Sequence, residues 1–460
     1  MICRSAPSPP LARAWPPDGF REASLARIEH YNAATKAFIT VDAEGARAAA
    51  RRAVEAVDGG LLNGIPYTCK DLFQTKGLRT TGGSRVLADW LPDSDAAVIE
   101  RLADAGAVLL GKANLHEFAY GATGENAIFG TPPNPWDPSR LAGGSSSGSA
   151  VAVAGGMAAF ALGTDTGGSV RVPAALCGLV GFKPSYGRVS CHGVIPFSWS
   201  LDHVGILTRT VADCASVFDA VAGFDPRDAA SADVAVTPAT PGLDGGAGGL
   251  RMGIPRSFYF DHVGAEIAAA TEAGINLLAG LGAGRADVDL PDMTGVRTVS
   301  LLVQMPEALS YHSRYLRDRA DLYGDDLRAG LALGQFILAE HHVRARRMIE
   351  VYRRHMEDVF RQVDVIITPA TPLAAPEIGA TTVDCGAGPE AAGNALTRLT
   401  TFFNMSGNPA LVLPTGLNSA GLPMALQIIG RPFEEATVLR VARALEAALA
   451  LDLGTPPMFV

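Results

Sequence analysis

No apolar run in this 460-residue chain is long enough to cross a membrane as a helix. The longest, Ala150–Leu162, is broken by Gly155-Gly156 and falls short of the roughly 18–20 residues a span needs. The first twenty residues lack the apolar stretch of a signal peptide and carry Pro7, Pro9, Pro10, Pro16 and Pro17 instead, which predicts a loosely ordered arm over 1–20. There is no CxxC pair among the six cysteines (Cys3, Cys69, Cys177, Cys191, Cys214, Cys385) and no metal-ligand spacing. Scattered cysteines of this kind read as reduced, mostly buried thiols of a cytoplasmic protein, not as a disulfide framework. A long basic run is also missing: 38 Lys and Arg stand against 47 Asp and Glu, a net charge of −9, which argues against nucleic acid as a partner. Charged residues are scarce at 18% and hydrophobic ones make up 48%, so global disorder is excluded and a large core is expected.

What the chain does contain is an alternation of short apolar runs and helical patterns. Glu22–His30 reads as a helix, Ala37–Val41 as a strand, residues 44–57 as a helix, and Gly64–Lys70 as a strand with a charged tip. Ala96–Ala105 carries Val98, Ile99 and Leu102 at helical spacing, and Ala107–Leu110 returns as a strand. Thr210, with Asp213 three residues on, opens a helix in which Val211, Cys214, Val217, Phe218 and Val221 share a face. Pro238–Gly249 reads as a loop, and 263–363 as mostly helical with solvated charge clusters. Asp364–Ile367, Ala410–Leu413 and Ala425–Ile429 read as strands, the last two joined by a turn, and Ala436–Ala450 as the closing helix. The pattern predicts the α/β class: one large α/β/α domain over 21–460 with a central mixed sheet flanked by helices, in which 240–360 forms a mostly helical cap that selects substrate.

Two glycine–serine stretches carry the chemistry. The first, Gly143-Gly144-Ser145-Ser146-Ser147-Gly148-Ser149, runs into a buried apolar helix, which a serine-rich linker would not do. The second, Gly163-Thr164-Asp165-Thr166-Gly167-Gly168-Ser169-Val170-Arg171, places Ser169 24 residues beyond Ser145. Gly167 and Gly168 leave the backbone bare, so consecutive N–H groups can turn toward one point and form an oxyanion nest. An attacking serine also needs a base. The usual one is histidine, and His192 and His203 are the nearest in sequence. A lysine serves instead if burial lowers its pKa from about 10.4 by several units. Lys70 ends an apolar strand 75 residues before Ser145. Such a lysine would ordinarily pair with Asp71 or solvent; the serines tip the reading toward catalysis.

At these residues the chain resembles the amidase signature family. The strings GIPYTCKD, GKANLHEFAYGATGEN, NPWDPSRLAGGSSSGSA, ALGTDTGGSVRVPAALCGLVGFKPSYGRVS and SLDHVGILTRTVAD match that family's blocks in order, and the likeness runs from about 35 to 450. The resemblance implies a triad of Ser169 as acyl-forming nucleophile, Ser145 as bridging serine after a cis peptide, and Lys70 as base. It implies an oxyanion hole from the N–H groups of Thr166, Gly167, Gly168 and Ser169, with Ser146, Asp165 and Arg171 in support. Two departures stand out: Ser147 where many members have glycine, and a short, proline-rich N-terminus in place of a helical lead-in.

The leading expectation is a free-standing amidase for small or aryl amides or carbamates. The second is the ammonia-releasing A subunit of a glutamyl-tRNA amidotransferase, which serves a partner; in place of its usual Met-Asp-Glu-Phe this chain has Leu115-His116-Glu117-Phe118. A binding protein on the same scaffold is a third reading, against which the intact triad speaks. No cofactor and no metal is expected, because the adjacent residues His341 and His342 beside Glu340 point in different directions on a helix. The expected partner is a small amide or carbamate, with neither nucleic acid nor membrane, and a homodimer stands as an alternative to a monomer. Substrate selection is expected from 263–363 and from Tyr120–Phe129.

Overall fold

A computed structural model describes residues 17–55 and 60–460. Its strands, in chain order, are β1 (Phe38–Val41), β2 (Pro66–Lys70), β3 (Val108–Ala113), β4 (Phe160–Asp165), β5 (Val180–Lys183), β6 (His203–Thr208), β7 (Arg251–Ile254), β8 (Gly284–Asp287), β9 (Val365–Pro369), β10 (Thr382–Asp384), β11 (Pro389–Ala391), β12 (Ala410–Leu417) and β13 (Pro423–Gly430). Eleven of them form one sheet in the order β1-β3-β2-β4-β6-β5-β12-β13-β9-β7-β8, and β10 pairs with β11 apart from it. Strands β3, β2 and β4 run parallel, as do β9, β7 and β8, while the middle of the sheet from β4 to β9 is antiparallel.

The helices are α1 (Pro17–Thr35), α2 (Ala43–Glu55), α3 (Ala97–Asp104), α4 (Ser147–Ala154), α5 (Arg171–Cys177), α6 (Val211–Val221), α7 (Ala265–Gly280), α8 (Val296–Arg319), α9 (Asp325–Leu333), α10 (Ala339–Gln362), α11 (Ala392–Thr397), α12 (Phe402–Met405) and α13 (Glu435–Leu449). Side chains alternate along each strand, so successive residues enter different cores. Phe160 and Leu162 pack with α3, α6, α7 and α13, whereas Ala161 between them packs with α1, α2, α4 and α5. Leu411 and Leu413 go to the first side and Val412 to the second. The sheet is thus flanked by helices on both faces, as the alternation predicted. A third cluster joins α8, α10 and α12 through Val303, Ile349, Tyr352 and Phe402.

Most element predictions land within a few residues. Thr210 caps α6, its Oγ1 accepting from the Asp213 N–H at 3.1 Å, and β12 and β13 pair as neighbours across a turn. The helix expected over Glu22–His30 is longer, spanning Pro17–Thr35, so four residues of the expected arm belong to it; residues 1–16 lie outside those described. The larger difference is in 240–360. That stretch is helical over α7 to α10, yet it also gives β7 and β8 to the sheet. All four residues of β8 are exposed, and β7 is four residues long, so neither carries an apolar run that reads as a strand. Among the described residues no helix is long and apolar enough to cross a membrane, and the five described cysteines are unpaired.

Candidate active site

Strands β2 and β4 are parallel neighbours, so their C-terminal ends reach the same edge of the sheet. Lys70 is the last residue of β2, Asp165 the last of β4, and Ser147 opens α4 beside them. Lys70, Ser145 and Thr164 are all buried there. The Lys70 Nζ donates to Ser145 Oγ at 2.7 Å and to Thr164 Oγ1 at 2.8 Å. Asp71 does not pair with it. With two neutral hydroxyls as partners, burial pushes the Lys70 amine down to about 7, against the pull of Asp202 and Asp165.

The Gly144–Ser145 peptide is cis. Gly144 has no room for a side chain, since a Cβ there would lie 2.5 Å from the Gly124 nitrogen. Ser146 ties the two serine loops together: its N–H donates to the Ser169 carbonyl at 3.2 Å and its hydroxyl to the Thr164 carbonyl at 3.3 Å. Ser169 is 7% exposed, and its hydroxyl makes no hydrogen bond among the described residues. Ser145 is thus hydrogen-bonded to Lys70 and, among the described residues, not to Ser169.

Asp165 and Arg171 form a buried ion pair at 2.9 Å that fixes the glycine loop. Burial alone would raise the Asp165 pKa, but Arg171, Lys183 and Asn404 hold the carboxyl well below the usual range. Its oxygens also accept from the N–H groups of Gly168 (2.9 Å), Val170 (3.1 Å) and Arg171 (3.3 Å). This corrects one expectation. The Gly168 N–H is engaged by Asp165 and is not free to meet an oxyanion, whereas those of Thr166, Gly167 and Ser169 take no partner among the described residues. Gly168 keeps a different necessity: its φ is +130°, and a Cβ would come 2.2 Å from Thr400 Oγ1.

Several residues of the site left no signal in the sequence. Thr400 Oγ1 donates to the Gly167 carbonyl at 2.6 Å; Gln427 and Asn404 accept from Arg171 at 2.6 and 2.7 Å. Asp202 accepts from Thr166 Oγ1 at 2.6 Å and from the N–H groups of Phe197 and Ser198. Burial pushes its carboxyl up to about 6. A cavity of about 850 Å³ reaches this side, lined by Thr164, Tyr186, His192, Trp199 and Asp202 among others. Neither candidate histidine touches a serine of the triad. His203 is buried with Nδ1 at the Leu201 and Asp165 carbonyls (2.6 and 3.2 Å), and His192 lines the cavity. His341 faces Glu340 at 3.6 Å, while His342 Nδ1 lies 3.1 Å from the Leu302 carbonyl, so the two rings do diverge.

A family model described as Amidase matches residues 21–439. The chain belongs to the amidase signature family. It is an amidohydrolase of the serine hydrolase kind, and the family implies an amide substrate. It is 42% identical to the A subunit of the glutamyl-tRNA(Gln) amidotransferase of Anaeromyxobacter sp. (strain K) over 470 residues, covering 95% of this chain and 93% of the relative. A chain of an inhibitor-bound vestigial protein complex, one that reveals the evolutionary origins of an s-triazine catabolic enzyme, superposes with a TM-score of 0.90 at 35% identity, covering 94% of this chain and 95% of that one. The crystal structure of an amidase superposes at 0.85 with 35% identity, covering 94% and 96%. The fold described above is thus matched over nearly the whole chain by both structures.

Proposed function

We propose that this amidohydrolase opens a C–N bond through an acyl-enzyme on Ser169, with Ser145 and Lys70 as its proton relay. The observation that carries the reading is the buried Lys70, its amine pushed down to about 7 and donating to Ser145, with the Ser169 hydroxyl left without a partner among the described residues. Neutral Lys70 draws the Ser145 proton, and Ser145 draws that of Ser169 as its oxygen attacks the carbonyl. Unliganded catalytic hydrogen bonds are commonly loose and tighten with substrate, which fits the missing Ser145–Ser169 contact. The N–H groups of Thr166, Gly167 and Ser169 meet the oxyanion. The proton then returns along the relay to the departing nitrogen, and water releases the acid. A serine-directed phosphonyl fluoride tests this: mass spectrometry is expected to find the adduct on Ser169, more slowly formed in Ser145→Ala. An adduct on Ser145 or Ser146 with Ser169 unmodified overturns the assignment.

Two uses fit this chemistry. The curated relatives weigh toward ammonia release from glutamine for a partner, since the A subunit of an amidotransferase is 42% identical across 95% of the chain. A free-standing amidase or carbamate hydrolase has the support of His116. It stands in Leu115-His116-Glu117-Phe118, in place of the Met-Asp-Glu-Phe usual in that subunit, and burial and the charge of Lys70 push its ring down to about 4, so it is neutral and brings no negative charge beside Lys70. Hydrolysis measured with the purified chain alone, without ATP, separates them. Turnover of anilides and carbamates with none of glutamine supports the second use; glutaminase activity supports the first.

A further inference from the structure

Glu307 lies on α8 with most of its side chain buried, and it serves the loop between β5 and β6. Its carboxylate accepts from the Ser198 hydroxyl at 2.6 Å, and from the hydroxyl and N–H of Ser200 at 2.6 and 3.1 Å. Removing a carboxylate from water is unfavourable unless hydrogen bonds replace those it loses, and a group that only accepts is well matched to two hydroxyls and an N–H. Arg346 of α10 stands 3.7 Å away but is half exposed, too open to water to account for the placement of the carboxylate. The helix itself is fixed at this point. Pro306 has no N–H, so the Leu302 carbonyl lacks its helical partner, and His342 of α10 meets that carbonyl with Nδ1 at 3.1 Å. His342 and Arg346 are one turn apart on α10, so α10 holds α8 on either side of Pro306.

From Glu307 a continuous path leads to the glycine loop. Ser198 is wholly buried between two carboxylates: its hydroxyl goes to Glu307, and its N–H donates to Asp202 at 2.9 Å. The same Asp202 oxygen accepts from the Phe197 N–H at 2.8 Å, and the other accepts from the Thr166 hydroxyl at 2.6 Å. Thr166 opens the run of N–H groups that the acyl-enzyme reading assigns to the oxyanion. Gln304, one turn before Glu307, approaches the next member of that run: its Nε2 stands 3.8 Å from where a Cβ on Gly167 would be. One helix therefore borders Gly167 directly and reaches Thr166 through the serines. Such donors lower a barrier only when they are fixed before the charge develops. We infer that Glu307 is a positioning residue of the reaction, holding Ser198 and Ser200 from α8 so that Asp202 can hold Thr166 with its N–H toward the oxyanion. Glu307 touches no reacting atom, and its role rests on the acyl-enzyme reading.

The test uses the full chain and a small phosphonyl fluoride, whose adduct places an oxygen among the N–H donors. Mass spectrometry follows labelling of Ser169 over a range of probe concentrations. Glu307→Gln keeps the size of the side chain and leaves one acceptor oxygen where two serve. It is expected to lower the maximal labelling rate at least about tenfold, with the half-saturating concentration within about twofold of wild type. Ser198→Ala cuts the same path from the loop side without touching α8, and is expected to slow labelling in the same way even if Glu307→Gln does not fold. A carboxylate that only stabilises the fold would behave differently in combination. Thr166→Val removes the hydroxyl at the far end of the path and keeps its N–H. Glu307→Gln combined with Thr166→Val is expected to label no more than about twofold more slowly than the slower single variant, because both break one path. Losses that multiply, or a Glu307→Gln protein that labels at the wild-type rate, overturn the assignment. Wild-type labelling at a serine other than Ser169 instead overturns the acyl-enzyme reading itself.

Discussion

Asp71 follows Lys70 in the chain, yet its carboxylate turns to Lys112, whose Nζ lies 3.6 Å away with both side chains wholly buried. Lys112 also donates to the Phe73 carbonyl and to Thr75 and Thr80, and Asp71 accepts from the hydroxyl and N–H of Thr81. Two adjacent residues of β2's tip are thereby separated: Asp71 joins a buried ion pair, and the Lys70 amine is left with hydroxyl partners. Were Asp71 to face Lys70, the amine would stay charged and could not act as a base. Lys112→Met removes the partner and leaves a buried carboxylate uncompensated, which is expected to cost about 3–5 kcal/mol. Urea unfolding of the two proteins measures it; an unchanged midpoint would show that the pair contributes nothing.

The same isolation sets a pH dependence. Burial pushes the Lys70 amine down to about 7, and it must be unprotonated to accept, so kcat/KM is expected to fall about tenfold per pH unit below that value. Thr164 accepts from the amine and so favours its charged form. Thr164→Val removes that acceptor, lowers the lysine further, and moves the acid limb to lower pH. Asp202→Asn acts in the same direction, because the Asp202 charge raises Lys70. A limb that persists in Lys70→Ala and vanishes in His192→Ala or His203→Ala would transfer the role of base to a histidine.

The proposed triad could be named from the sequence because Lys70, Ser145 and Ser169 each lie in a short string that resembles a block of the family, and the structure brings Lys70 and Ser145 within hydrogen-bond distance. Its supports were not. Asn404 and Gln427 reach Arg171 from 233 and 256 residues away, and no local pattern marks an asparagine or glutamine as the partner of a distant arginine. Gly168 misled for a subtler reason: composition shows that a glycine is needed, not whether its N–H is free, and the Asp165 carboxylate three residues back takes it. The strands β7 and β8 were hidden in a stretch read as helical, since an exposed edge strand such as β8 buries no face and leaves no alternation.

Gly168 invites a direct test. At φ +130° any side chain is strained, and a Cβ would sit 2.2 Å from Thr400 Oγ1, the hydroxyl that donates to the Gly167 carbonyl. Gly168→Ala is expected to cost about 1–3 kcal/mol of stability and, by displacing the Gly167 N–H, to lower kcat on the order of a hundredfold with little change in KM. Steady-state kinetics beside thermal unfolding checks both. Loss of KM with kcat intact would mean that the loop binds substrate and does not stabilise the oxyanion.

His116 meets the triad through its backbone: its N–H donates to the Ser145 carbonyl at 3.1 Å, and its ring lies against Gly121. Burial and, after it, the charge of Lys70 push this imidazole down to about 4, so it is neutral wherever the enzyme works. The coupling runs both ways: a group that feels the lysine's charge acts on the lysine in return. His116→Asp would place a carboxylate there, favour the ammonium form, and raise the Lys70 pKa, so the acid limb of kcat/KM should move above 7. Activity at neutral pH then falls about tenfold for each unit of that movement, while activity well above the new limb recovers. His116→Asn changes the shape without adding charge and is expected to leave the limb in place. If His116→Asp lowers activity equally at every pH, the residue positions Ser145 through its backbone and does nothing to the lysine, and the contrast between Leu115-His116-Glu117-Phe118 and Met-Asp-Glu-Phe would have to be explained by substrate contacts instead.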